Sequence, residues 1–150
     1  MIVRALATAL VLLALACGGE VGPAGVTPSD ACAFCRMNVS DPHFAGQITA
    51  SGEDPRFFDD VGCLAGWLKE HQAPAESVAW VTDHRTGRWV QAAEAVYTRA
   101  RSISTPMGSS IIAHSDTTSR DADRDALNGE ALTTTAVFGT ARVPGGPHAR

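Results

Sequence analysis

Arg56-Phe57-Phe58-Asp59-Asp60-Val61-Gly62-Cys63-Leu64-Ala65-Gly66-Trp67-Leu68 is the stretch whose reading decides the fold. Its first three residues read as a short strand. Asp59-Asp60 then offers an N-cap, because a short carboxylate can accept an orphan amide N–H of a first helical turn. Val61, Leu64 and Leu68 recur at i, i+3 and i+7, which is one face of a helix running to about His71, with Pro74 closing it. Upstream, His43 to Ala50 alternates apolar and polar residues as a strand does. Ser51-Gly52-Glu53-Asp54 joins it to the next strand as a hairpin-like turn. Downstream, Ser77 to Asp83 is a third strand. The order is β-β-α-β.

The rest of the chain reads similarly. Arg88 to Gln91 and Glu94 to Thr98 are short strand pieces, and Ser109 to His114 is another strand. Ser115 to Thr118 supplies cap residues for a short helix over Asp121 to Leu127, ending at Asn128-Gly129. Ala131 to Phe138 is rich in Thr and Val and reads as a last strand. The expected fold class is therefore α+β, built of two small pseudo-duplicated β-β-α-β units at about 30–84 and 85–138, with residues 139–150 a disordered Gly/Pro-rich tail.

Residues 1–16 read as an export address. Arg4 gives a short positive start, and Ala5 to Ala16 is an apolar run too short to span a bilayer as a helix. Leu13-Ala14-Leu15-Ala16-Cys17 resembles a bacterial lipoprotein signal, with Cys17 as the lipidated residue and 17–29 as a flexible tether. Cleavage after Ala14-Leu15-Ala16 by an ordinary signal peptidase is the alternative. The expected location is extracytoplasmic or periplasmic, on a membrane surface through Cys17. With 12 Lys and Arg against 16 Asp and Glu, net charge −4 and no basic cluster, nucleic acid is excluded as a partner class.

Chemistry concentrates in Cys32-Ala33-Phe34-Cys35-Arg36-Met37. A bare C-x-x-C is open to zinc, disulfide exchange or a structural disulfide. Met37 shifts the reading, because thiolate and thioether together are soft ligands that select Cu(I), while Met is a poor zinc ligand. If Cys17 carries lipid, Cys32, Cys35 and Cys63 remain, and an odd number of thiols is not explained by disulfides alone. Cys63 falls in the first turn of the expected helix. Alone it reads as a small buried apolar residue, and it becomes functional only where the fold sets that helix start beside Cys32 and Cys35. Met107, between Pro106 and Gly108, sits in a rigid turn with no evident core duty.

Taken together, C-x-x-C-x-M, HFAGQI at 43–48, FDDVGCLAGWL at 58–68, WVTDH at 80–84, Ala95 to Tyr97 and TPMGSSIIAH at 105–114 resemble the nitrous oxide reductase accessory protein (NosL) family. The resemblance runs from about Asp30 to Phe138. It implies a lipoprotein of the cell envelope that binds Cu(I) and delivers it to a copper enzyme, nitrous oxide reductase being the family's client. It also implies two β-β-α-β units related to the organomercury lyase fold. Carried over residue by residue, it implies copper ligands drawn from Cys32, Cys35, Met37 and Met107, with Cys63 at a position where Cys is common. The chain departs from the family pattern in a shortened, Thr-rich last helix and strand.

No Ser/His/Asp spacing, phosphate loop or paired-carboxylate signal beyond the helix cap points to an enzyme. Three other readings stay open. They are a thiol–disulfide oxidoreductase using Cys32 and Cys35, an anchored protein with a Cys32–Cys35 disulfide, and a zinc site in which Cys63 or His43 replaces the Met residues. His43, alone at a strand start, reads as a surface or capping residue.

Overall fold

A computed structural model describes residues 21–145. Its elements are β1 (Gly46–Thr49), β2 (Arg56–Phe58), α1 (Val61–Glu70), β3 (Val78–Thr82), β4 (Trp89–Gln91), β5 (Val96–Arg99), β6 (Ile111–His114), α2 (Thr117–Asp121), a 3-10 turn (Arg124–Ala126), β7 (Glu130–Leu132) and α3 (Thr134–Phe138). They form two antiparallel sheets, β2-β1-β3-β4 and β6-β5-β7, so the class is α+β as expected. The signal segment and Cys17 lie outside the described residues.

Helix α1 forms as its sequence demands. Asp60 is extended at the N-cap, and its Oδ1 accepts the Cys63 amide at 2.9 Å. Val61, Leu64, Ala65 and Leu68 bury the predicted face against β1 and β2. Burying a side chain such as Leu64 contributes about 1.5–3 kcal/mol. The helix comes so close to β1 at Gly46 that a Cβ there would stand 3.3 Å from Leu64 Cδ2. At the other end the His71 ring stacks on Trp67 at 4.8 Å, and its amide donates to the Trp67 carbonyl.

All four β1 residues are buried, although alternation would leave one face wet. The covering is supplied by the segment expected as tether. The Gln47 side chain accepts from Ala24 N at 2.8 Å and donates to Ala24 O at 3.0 Å, and Ala24 and Val26 pack on Val39, Ala45 and Phe57. The expected tail is likewise laid against the sheet as far as Gly145. Ala141 and Val143 join the core, and Ala79 N donates to Pro144 O at 3.1 Å.

The division expected near residue 84 falls elsewhere, because β4 pairs with β3 (Val81 opposite Val90) and completes the first sheet. The chain then continues as β5-β6-α2-β7, whose sheet order places its first strand in the centre, as β1 is central between β2 and β3. The sheets meet where Asp83 bridges Ala113 and His84 N donates to Ala113 O at 2.9 Å. One core runs through both, from Ile48, Phe58 and Leu64 to Tyr97, Ala113 and Phe138.

The last expected elements need correction. The helix expected at 121–127 is two shorter pieces, α2 capped by Asp116 and the 3-10 turn capped by Asp123. The strand expected at 131–138 ends at Leu132, where Thr133 accepts the Ala136 amide at 3.0 Å and starts α3. Val137 and Phe138 are both buried, the latter edge-on to Tyr97 at 5.6 Å. Successive residues of a strand face opposite ways, so a strand could not put both into one core. Packing overrides the β preference of Thr and Val.

Candidate metal centre

The C-x-x-C segment is a tight loop rather than the start of a helix. Cys32 N donates to Met37 O at 2.7 Å, Arg36 N donates to Cys32 O at 3.0 Å, and Ala31 bridges Asn38. Arg36 closes the turn in the left-handed region at φ +68°. The loop docks on β2, with Cys32 bridging Phe57 and Ala33 N donating to Phe57 O at 2.8 Å. Phe34 lies over Gly66 of α1, where a Cβ would be 2.7 Å from the ring. The glycine is what lets the loop sit on the helix.

A second loop approaches the same helix start. Asp60, whose Oδ1 caps Cys63, uses Oδ2 to accept Thr105 Oγ1 at 3.0 Å and Met107 N at 3.3 Å. Here too a glycine permits the approach: a Cβ at Gly62 would stand 2.6 Å from Ser109 Cβ. The turn itself uses Gly108 at φ +70°.

These contacts bring Cys32, Cys35 and Cys63 together, with their sulfurs all within 4.8 Å of one another. Cys32 and Cys63 are buried, Cys35 is half-buried, and all three are free thiols. Cys32 is pulled down to about 5. The Cys63 thiol donates to it, and the amides of Cys35, Asp59 and Phe34 add to this against the cost of burial. Cys63, the donor in that pair, is pushed up by it and by burial. Cys35 is raised chiefly by burial. The apo centre is thus one thiolate flanked by two thiols.

The Met residues stand differently. Met37 and Met107 are 49% and 39% exposed, each on a loop whose backbone is tied to the thiol-bearing segments. Cys63, read from sequence as core unless the helix start met the C-x-x-C loop, meets it. His43 does not join the centre: its Nδ1 bonds the His84 carbonyl at 2.7 Å. Asp60 was legible as a cap, but its hold on residues 105–107 was not. A second grouping, His84, His114 and Asp123, was not read from sequence at all. Its members are 39 and 9 residues from Asp123, with no motif spacing to betray them.

Comparison with known proteins places the chain in a family and matches its fold. The family model described as NosL matches residues 23–138. Among solved structures, the chain is similar to the copper chaperone NosL from Shewanella denitrificans. Identity is 19% and the TM-score is 0.60, over 75% of this chain and 91% of that one, a likeness of fold. No curated protein matches the chain.

Proposed function

This chain belongs to the NosL family, and on that premise we propose that it is a Cu(I)-binding metallochaperone of the cell envelope. It would be anchored to a membrane through lipidated Cys17 and would pass copper to a cuproenzyme such as nitrous oxide reductase. The observation that carries the reading is the convergence of three thiol sulfurs within 4.8 Å at the foot of α1, with two exposed methionines on the adjoining loops. Thiolate and thioether donors suit Cu(I) rather than a hard ion. The Cys32 sulfur is already a thiolate at neutral pH, so it accepts the ion without first losing a proton. Met37 and Met107 are uncharged at any pH and reach solvent, which suits capture and release by stepwise ligand exchange outside the cytoplasm.

The thiolate character of Cys32 beside Cys35 also favours a second reading, a thiol–disulfide exchange protein. Anaerobic Cu(I) titration of the chain from Gly18 onward, against a competing Cu(I) chelator, separates the two. One-to-one binding that competes with the chelator and weakens in Met37→Ala and Met107→Ala supports the chaperone. Failure of the fully reduced protein to compete leaves thiol exchange as the account. Binding unaffected by either Met substitution, with Zn2+ displacing the ion, would point to a three-thiolate zinc site instead.

A further inference from the structure

The junction of the two sheets holds a second convergence of metal-ligating groups that shares no residue with the thiol centre. His84 follows β3 on the turn into β4, His114 ends β6, and Asp123 caps the 3-10 turn. Asp123 Oδ2 lies 2.8 Å from His84 Nδ1 and 2.9 Å from His114 Nε2, so both imidazoles are aimed at one carboxylate oxygen. The three ligating atoms lie within 4.8 Å of one another. The His84 and His114 rings stand edge to face at 76°.

Each group is held in place by something other than the trio. Asp123 Oδ1 accepts the Asp125 amide at 2.9 Å, which turns Oδ2 toward the rings. His84 donates its amide to Ala113 O, its carbonyl accepts from His43 Nδ1, and Phe44 lies against its ring at 4.9 Å. His114 is fully buried, and its other nitrogen, Nδ1, has no hydrogen-bond partner. Burying that ring with Nδ1 orphaned costs free energy that its single hydrogen bond, to the Asp123 carboxylate, offsets only in part.

We propose that His84, His114 and Asp123 form a binding site for a divalent ion of the zinc class, which ties the first sheet to the second. Two imidazoles and a carboxylate are a harder donor set than thiolate and thioether and suit zinc better than Cu(I), which sets the site apart from the soft centre at the thiols. A tetrahedral ion with three protein ligands keeps a fourth position for water. Ligands of a tetrahedral zinc stand about 3.3 Å from one another, so the two nitrogen–oxygen pairs, at 2.8 and 2.9 Å, would open by about half an ångström to admit the ion. The other account of the same contacts is a purely structural hydrogen-bonded trio.

Co2+ is the probe that tells the ligand classes apart in the intact reduced protein. Thiolate ligands give it an intense charge-transfer band, and nitrogen and oxygen ligands give only weak visible bands. The expected result is one equivalent of Co2+ with the weak bands, displaced by Zn2+. These bands persist in Cys35→Ser and vanish in Asp123→Asn and in His84→Phe. In the Cys35→Ser background, where the thiol centre is broken, Zn2+ at a hundredfold excess over its Kd is expected to raise Tm by roughly 5–10 °C, and not when His84→Phe is added. His84 reaches the surface, so that variant serves if Asp123→Asn fails to fold. Absence of the weak bands together with no Zn2+-dependent Tm shift overturns the proposal. So does, in the Cys35→Ser background, a Tm shift that survives both His84→Phe and Asp123→Asn. Neither outcome bears on Cu(I) at the thiols.

Discussion

Thr105 donates its hydroxyl to Asp60 Oδ2 at 3.0 Å, and both residues are buried. Through this contact the carboxylate that caps α1 at Cys63 also fixes the turn carrying Met107. The consequence is specific. Asp60→Ala removes a helix cap and leaves Thr105 without its acceptor, so it should cost roughly 2–4 kcal/mol in urea unfolding. Thr105→Val should cost less, since the cap survives. It should nevertheless loosen the Met107 turn and weaken Cu(I) competition, whereas the cap-deleting change weakens both stability and binding. Equal effects of the two substitutions on stability would show that the shared carboxylate is not what couples the loops.

Gly66 and Phe34 are matched in the same way. A methyl at position 66 would meet the ring at 2.7 Å, so Gly66→Ala should displace the C-x-x-C loop and destabilise by roughly 1–3 kcal/mol. In a Phe34→Ala background the clash is gone, and alanine is a better helix former than glycine by about 1 kcal/mol. The same substitution should then be neutral or stabilising. A double-mutant cycle by chemical denaturation reads this as a coupling well above about 0.5 kcal/mol. Additive effects would mean that the loop does not rest on the helix.

The thiols should titrate apart. Thiolate ultraviolet absorbance of the apo protein is expected to show a first midpoint at about 5, from Cys32, with Cys35 and Cys63 still protonated at neutral pH. Cys63→Ala deletes the donor that stabilises the thiolate, so the first midpoint should rise toward the ordinary value of about 8.5. In Cu(I) binding, Cys32 then contributes no pH dependence above about pH 6, while any proton displaced from Cys35 or Cys63 makes affinity rise with pH. Indicator-dye measurement of proton release on Cu(I) binding at pH 7 should find at least one proton per ion.

Acid stability should depend on Asp83. Burial alone would push its carboxyl up. The amide of Ser115 and the hydroxyls of Ser119, Thr86 and Ser115 outweigh this and hold it below the ordinary carboxylate range. With the folded value below the unfolded one, of about 3.9, the ionised group stabilises the fold fully above that pH. The contribution is lost as pH falls toward the folded value. Asp83→Asn should therefore be less stable than wild type at pH 7, with the difference shrinking below about pH 4. Thermal melts across pH 2–7 check it, and a constant gap throughout would rule out the linkage.

Much of the fold and two of the three thiols of the centre are written in local sequence. The 56–68 stretch carries its own strand, cap and 3.6-residue periodicity, and α1 runs as that pattern requires, with Asp60 as the cap. The thiol and thioether motif is likewise local, since two cysteines three apart and a methionine two further on need only a turn to converge. What tertiary structure decided is of another kind. It brought Cys63 to Cys32 and Cys35, and it tied Met107 to α1 through Asp60. It gave β4 to the first sheet and turned Thr134–Phe138 into a helix so that two adjacent apolar residues could enter one core. It also joined His84, His114 and Asp123 from three separate segments. Periodicity and capping are readable because their energies come from neighbours a few residues apart. The pairing of distant side chains depends on which surfaces are left to bury, and that is settled only once the sheets and helices are packed.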